Sequence, residues 1–434
     1  MLLKLRMHSI VIFLLASFPL AVYAVDNQAE SLPEPLTLDL ALNLIDQSHP
    51  DLRYIEADLK KSQSKLQQAL SNNDLNINLQ ATASWIDPSD VSTYQTNEDH
   101  RVGLLANKTL YDFGRSASKF GELTHKVLSN DLQHLNARQN QYIKVMQRYF
   151  DVVLADLQFY RYNEEMAVAY IQFDRIQIRQ KLGQHTEVEV AEKEFEYNRI
   201  RRLRTYSQNQ QRVTRSLLAQ ALNRPDNLPA TVARPDVKVN SRKLPEIEKA
   251  QQLARKNNPV LRSLRANLTA AKNKIQFAQA SDNPVLTGKL EAYNYTRETR
   301  SSDKWRAQVT LDIPLWGGGR ADAAVAKAKA EVYKIEAELA QQEFLIQQQI
   351  LELLLGIETL KVEYEEVLAG MNFSELSLDE SRALYELEVK STLGYSMVKF
   401  SEAERKVVKV SFDIALAWAQ LDALSGTLLN KAKQ

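Results

Sequence analysis

The residues that most suggest chemistry are Gly317-Gly318-Gly319-Arg320, a glycine run followed by a cation. Set between a strand pattern and a helix pattern, they have the ingredients of an anion cradle, because free N–H groups at a helix start attract phosphate. The frame G-x-x-x-x-G-K-[ST] is absent, however. A similar junction elsewhere uses Gly114-Arg115 alone, so backbone turning accounts for the glycines. The six histidines (His8, His49, His100, His125, His134 and His185) show neither H-E-x-x-H nor Cys/His spacing, and read as surface or capping residues. The absence of cysteine excludes a disulfide framework, a thiolate metal site and a lipid-attachable cysteine. No Ser-His-Asp set and no carboxylate pair stands out from the acids on polar helix faces. The chain therefore reads as not an enzyme, with no catalytic, cofactor-binding or metal-ligating residues.

The elements around these residues occur twice. Pro50 and Pro259, 209 residues apart, each follow a capping residue, His49 or Asn258, at a helix start. Leu110-Tyr111-Asp112-Phe113-Gly114-Arg115 answers Leu315-Trp316-Gly317-Gly318-Gly319-Arg320, with the arginines 205 residues apart. Each repeat runs through a short helix, two strands, a glycine-arginine junction and a long proline-free tract. The expected division is a signal peptide over 1–24, a first repeat over 25–222, an irregular linker over 223–243 and a second repeat over 244–434.

The start of the chain has Lys4 and Arg6, an apolar run from Ile10 to Leu20, and Val22 and Ala24 before a cleavage point. The apolar run is too short to span a membrane and fits a secretory signal. Without it, 53 basic side chains face 54 acidic ones, a balance that argues against a nucleic-acid partner. No later run approaches the ~18 apolar residues of a spanning helix. A membrane-crossing form of this chain must use strands.

The strand signals are strong. Leu75, Ile77, Leu79, Ala81, Ala83 and Trp85 alternate with polar residues, as do Trp305, Ala307, Val309, Leu311 and Ile313. Weaker partners at Val102–Ala106 and Leu286–Ala292 complete hairpins over about 75–109 and 285–313. Helices are expected over 114–182, 187–222, 320–387 and 396–426. In the third, Val325, Ala328, Val332, Ile335, Leu339, Gln342, Ile346, Ile350, Leu353, Ile357, Leu360, Tyr364 and Val367 fall at steps of three and four. One doubled four-step relaxes the supercoil, predicting a nearly straight rod. At ~1.5 Å per residue each long helix spans ~100 Å. Two shorter helices stacked end to end would nearly match it.

Strands of about ten residues, apolar on one face and polar on the other, suit a transmembrane barrel. Four cannot close one, and an open edge in lipid leaves unpaired backbone groups. The chain must oligomerise to exist there. Trp85, Trp305 and Trp316 fall near strand ends, where interface aromatics anchor a barrel.

These residues resemble the TolC-type outer-membrane efflux proteins from about Leu36 to Gly426. The resemblance rests on the two repeats, the X-Pro helix starts, the Tyr/Trp–x–x–Gly-Arg junctions and the turn at Leu182-Gly183. It implies a fold that is mainly α with a small β part: a transmembrane β-barrel shared by a homotrimer, four strands per chain, continued by a long periplasmic α-helical barrel. It also implies a passive exit duct for efflux or type I secretion. The duct would lie in the bacterial outer membrane and extend into the periplasm, coupled through a periplasmic adaptor (membrane fusion) protein to an inner-membrane transporter. A pore-closing latch would match Tyr385 and Lys390. The aspartates that accompany such a latch have no counterpart, since Gly394-Tyr395-Ser396-Met397 stands there. Leu182, Gly183, Gln184, Val389, Ser391 and Leu393 would form the helical tips that meet the adaptor. The rival reading is a periplasmic coiled-coil scaffold without a channel, which leaves the amphipathic strands without a purpose.

Overall fold

The computed structural model describes residues 32–45, 48–239, 242–299, 302–389 and 392–431, so the expected signal peptide lies outside them. In chain order the elements are α1 (Leu38–Asn43), α2 (Pro50–Asn72), β1 (Asn76–Thr82), β2 (Arg101–Tyr111), α3 (Arg115–Lys181), α4 (Glu187–Ala221), α5 (Ile247–Asn257), α6 (Pro259–Gln279), a 3-10 turn (Ala280–Asp282), β3 (Val285–Tyr295), β4 (Trp305–Asp312), α7 (Arg320–Glu386), α8 (Leu393–Leu424) and α9 (Leu428–Lys431).

Both prolines open helices at the position where a missing N–H costs no intrahelical bond. The residues before them cap two helices at once. His49 Nδ1 accepts from the Asp51 N–H at 3.1 Å, which leaves the proton of a neutral ring on Nε2, 3.2 Å from the Gln220 carbonyl in the last turn of α4. Asn258 Oδ1 accepts from the Val260 and Leu261 N–H groups at 2.9 and 3.2 Å. Its Nδ2 donates to the Leu424 carbonyl, the last residue of α8, at 2.9 Å. Both cap side chains are buried. Each repeat therefore joins two short helices end to end, α4 to α2 and α8 to α6, beside a 67-residue rod, α3 or α7. Lys144 of α3 binds Asp51 at 2.9 Å beside the first junction, and that hydrogen bond holds the Asp51 carboxyl below its usual range.

The columns run in a fixed order. The α3 rod packs against α2 and α4 and against α6 and α8, and α7 packs against α6 and α8. The sheet repeats this order as β1-β2-β3-β4, all antiparallel, because each strand abuts its own column. The β2–β3 pair joins the repeats. The strands that the sequence marks weakly, β2 and β3, are the 11-residue central pair, and the strongly alternating β1 and β4 are the shorter edges. Gly103, Lys108, Gly288 and Lys289 blur the alternation of the central strands without breaking them. The ladder of β1 stops at Thr82 rather than Trp85, and Ser84 Oγ bonds the Asp99 carbonyl instead. The α8 helix begins at Leu393, three residues before the expected start.

A belt wraps the rods at mid-length. Leu36 forms a parallel bridge with Val232, and the buried Tyr149 hydroxyl of α3 reaches the carbonyls of Leu36 (2.9 Å) and Ala233. Phe150 stacks on Phe412 with centroids 4.1 Å apart, which ties α3 to α8. The predicted seam of α7 is buried at Ala328, Val332, Ile335, Ile346, Ile350 and Ile357, with Leu354 more covered than its neighbour Leu353. On this side of the belt Arg242 lies 4.1 Å over the Trp418 ring and grips Asp422 through two bonds of 2.8 and 2.9 Å.

Replacing Asn258 by alanine removes a cap and strands the Leu424 carbonyl. Asn258→Ala should lower stability by about 1–2 kcal/mol, read as a shift of the urea midpoint. Thr37→Ala, at the cap of the exposed α1 start, should cost less.

Candidate functional site

Side chains alternate across the sheet, and the register aligns them into two faces. One face carries Ile77 and Leu79 of β1, Leu104 and Ala106 of β2, Leu290 and Ala292 of β3, and Val309 and Leu311 of β4. Its larger residues are more than half exposed, so this apolar face is covered by none of the described residues. The opposite face carries amides, hydroxyls and charges, among them Asn78, Gln80, Asn107, Glu291, Arg306 and Gln308. A cavity of about 1010 Å3 opens there. Within it Tyr293 lies flat across Gly103, where a Cβ would stand 2.3 Å from the ring, and donates to Gln80 Oε1 at 2.8 Å. Arg101 sits 5.5 Å over the same ring. The outer edges of β1 and β4 have no partner strand among the described residues.

Aromatic residues bracket the apolar face. Trp305 is the first residue of β4, and Trp85 bridges Glu98 and meets the His100 ring at 5.1 Å, both at the hairpin-loop end. Trp316 lies four residues beyond β4 at the helical end, 90% exposed, and Tyr111 and Phe113 pack edge to face at that end.

The strand-to-helix junctions need two consecutive left-handed residues. In the second repeat these are Gly318 and Gly319, with φ of 61° and 76°. In the first they are Phe113 and Gly114, with φ of 52° and 93°. Gly114 is thus not the whole device, since Phe113 adopts a backbone that glycine adopts without strain. Arg320 Nε bonds the Gly317 carbonyl of its own turn at 3.1 Å, consistent with a turning role for the glycine run.

At the far end, both rods close with the same hydrogen-bonded turn. Gly183, at φ 76°, donates to the Gln180 carbonyl (2.9 Å) and Gln184 to that of Arg179 (3.0 Å). Glu388, at φ 56°, donates to the Tyr385 carbonyl (3.1 Å) and Val389 to that of Leu384 (3.0 Å). Glutamate stands where the first repeat has glycine. Leu182, Val389 and Tyr385 are exposed, and the Tyr385 hydroxyl bonds no described residue. Leu393 is the first residue of α8. Lys390 and Ser391 lie outside the described residues. Nearby, Ser381 and Ser396 share a buried 2.7 Å bond, and Gly394 packs on Val168 of α3.

Residues 250–366, from α5 into α7, match the family model for outer membrane efflux proteins. A comparison with curated proteins finds no match. The described fold is similar to three solved structures. The outer membrane protein VceC of Vibrio cholerae has a TM-score of 0.71 at 16% identity, covering 90% of this chain and 96% of that one. The CmeC outer membrane channel of Campylobacter jejuni gives 0.73 at 12%, covering 90% and 86%. The open-state MtrE outer membrane channel of Neisseria gonorrhoeae gives 0.70 at 18%, covering 90% and 89%. The fold is that of the TolC-type outer-membrane channels.

A single chain of this fold leaves two flanks bare, and both carry apolar stripes that the seam spacing does not reveal. On α7, Tyr333, Phe344, Leu355, Val362, Phe373 and Leu376 are exposed and share one side, because steps of eleven and seven return a helix nearly to the same angle. On α4, Val188, Phe195, Tyr206 and Val213 do the same. Exposed Glu358, Glu366 and Glu380 flank the first stripe and exposed Arg199 and Arg202 the second. The eleven-residue spacings Tyr333–Phe344–Leu355 and Val362–Phe373 are the sequence signal that would find it.

Two substitutions at left-handed positions should act with opposite sign. Gly319→Ala should destabilise by about 1 kcal/mol and Glu388→Gly should stabilise by a similar amount, both measured by chemical denaturation in detergent.

Proposed function

We propose that the protein is a passive outer-membrane exit duct, built as a homotrimer and serving a tripartite efflux or type I secretion system. The observation that carries this reading is the sheet: one face apolar and bare, the other polar, with two unpaired edges. In lipid each unpaired N–H or C=O costs several kcal/mol, so the edges must find each other. Three copies bring β1 of one chain beside β4 of the next and supply twelve strands, more than the ~8 that the smallest barrels need. The α7 and α4 stripes support the same join at the level of the helices, apolar against apolar and acidic flank against basic. Head-to-tail contacts of this kind close into rings. The rival, a scaffold without a channel, gives the apolar sheet face no covering.

In this reading the lipid meets Ile77, Leu79, Leu290 and Val309, with Trp85, Trp305 and Trp316 at its two interfaces. The rods then carry the tunnel ~100 Å into the periplasm. Their tips (Leu182, Gly183, Gln184, Val389, Ser391 and Leu393) are where a periplasmic adaptor reaching up from an inner-membrane transporter would dock. Tyr385 and Lys390 form the latch that narrows the tip, and the strained Glu388 turn beside them stores part of the distortion.

Three measurements test this. Phe344→Asp combined with Phe373→Asp should convert a trimer to monomers in detergent by light scattering, whereas a trimer that survives both changes rejects the seam. In planar bilayers the wild type should conduct, and Tyr385→Phe with Lys390→Ala should raise single-channel conductance. Conductance that does not move sinks the latch, and a mature protein that remains soluble in the periplasm sinks the duct.

A further inference from the structure

The β1–β2 loop is long, and the duct reading leaves it without a task. The β1 ladder ends at Thr82, and residues 83–100 carry the chain back to β2. The base of the loop is ordered. The Trp85–Glu98 bridge prolongs the hairpin, and the Ile86 N–H donates to the Asn97 carbonyl at 2.8 Å. Its crest is ordered too. Gln95 Nε2 donates to the carbonyls of Ser89 (3.2 Å) and Ser92 (2.7 Å), and Ser92 Oγ donates to that of Tyr94 (3.1 Å). A loop bonded to itself at base and crest holds one shape.

Arg297 sets the direction of that shape. Lys289, Glu291, Tyr293 and Tyr295 lie on the polar face of β3, and alternation carries Arg297 to the same side. Arg297 also lines the cavity of about 1010 Å3 on that face. Its Nη2 donates to Ser92 Oγ at 2.6 Å and to the Tyr94 carbonyl at 3.0 Å, and its Nε reaches the same carbonyl at 3.3 Å. Bonds from an ionised donor are about twice as strong as neutral ones. Beside it, the His100 N–H donates to Thr296 Oγ1 at 2.8 Å, and the Thr296 N–H to the His100 carbonyl at 2.9 Å. Ser92 and Tyr94 follow β1, yet they meet a side chain that follows β3, two strands away. The crest therefore bends off the hairpin axis, crosses β2 and hangs over the polar face.

We propose that residues 86–97 form an inward strap, held by Arg297, that narrows the outer mouth of the duct and keeps large external molecules out. The proposal rests on the duct reading and adds a restriction at the end opposite the helical tips. Three chains hang three straps over one lumen. Side chains alone fill a barrel of about eight strands, whereas about sixteen leave an open channel. Between those sizes, loops turned inward decide how much of the lumen stays open.

The chain has no cysteine, so one placed in the lumen reports access without background. Thr310, on the polar face of β4 opposite Thr287, lies deeper than the strap. In intact cells Thr310→Cys should react with a small maleimide added outside. It should react far more slowly with a maleimide carried on a polyethylene glycol chain of several kilodaltons. Arg297→Ala with Ser92→Ala should speed the large reagent severalfold relative to the small one. The same variant should remain a trimer in detergent by light scattering, which excludes misfolding as the cause. The strap is overturned if the large reagent reaches Thr310→Cys as fast as the small one, or if the double substitution leaves its rate unchanged. Bilayer conductance separates the two ideas. A conducting protein that admits the large reagent freely keeps the duct and loses the strap. A non-conducting protein whose Thr310→Cys is closed to both reagents rejects both.

Discussion

The constraint on which the rest of this structure depends is the hydrogen-bonding appetite of two strand edges. The inner strands β2 and β3 are paired on both sides, but β1 and β4 each present a ladder left open among the described residues. In water such edges would invite aggregation, and in lipid they would be intolerable. The apolar face across all four strands leaves little choice between those environments, because that face is stable only under hydrocarbon or another protein. Once the edges must be satisfied by further copies, the column order below the sheet is constrained as well. The flank under β4 is the bare stripe of α7, and the flank under β1 belongs to the α4–α2 column with its own stripe. Strand and helix edges then solve one closure problem together.

The end-to-end junctions make this possible without a second set of long rods. A helix end normally leaves four carbonyls or four N–H groups to satisfy. Here one buried side chain serves both ends: it caps the incoming helix and donates to the last carbonyls of the outgoing one. His49 and Asn258 do this with different chemistry and the same geometry. Both side chains combine an acceptor and a donor a few ångströms apart, which serine or aspartate cannot supply. The columns therefore behave as continuous posts, and the belt at mid-length, with Tyr149, Phe150 and Phe412 at its centre, clamps them where they are jointed.

Much of this was legible in the sequence, for physical reasons that differ by element. The X-Pro starts were legible because proline at the first helical position has a local cause, and the edge strands because one face of each is wholly apolar. The central strands were under-read. Gly103 and Gly288 look like breaks, and only the structure reveals that Tyr293 covers one and Leu110 the other. The α7 seam was legible from its three-four steps. Its second stripe was not, because steps of eleven and seven dilute to nothing in a search for heptads. The left-handed Phe113 was invisible, since no propensity argument places a phenylalanine there. At the tip, Tyr385 and Lys390 stand out only through the family resemblance, because a tyrosine and a lysine at a helix end carry no periodicity of their own.

The repeats disagree in both directions. At the tip turn the first has Gly183 where the second has a strained Glu388 at φ 56°, but at the strand-to-helix junction the first has the left-handed Phe113, at φ 52°, where the second has Gly318. The second repeat also lacks the ion pair of the first end-to-end junction, since Gln349 and Val260 stand at the positions of Lys144 and Asp51. None of these changes improves stability: a left-handed non-glycine residue costs about 1 kcal/mol or more, and losing a well-placed ion pair forfeits a few tenths to 1 kcal/mol. Each half of the wall is held to the belt: α3–α4 by Tyr149 and by the Arg215 clamp on Asp156, at 2.8 and 2.9 Å, and α7–α8 by Arg242, which grips Asp422 at 2.8 and 2.9 Å. Duplication let each repeat place its strain at a different point, at the strand end in the first (Phe113) and at the tip turn in the second (Glu388), while both kept the end-to-end junction and a clamp to the belt.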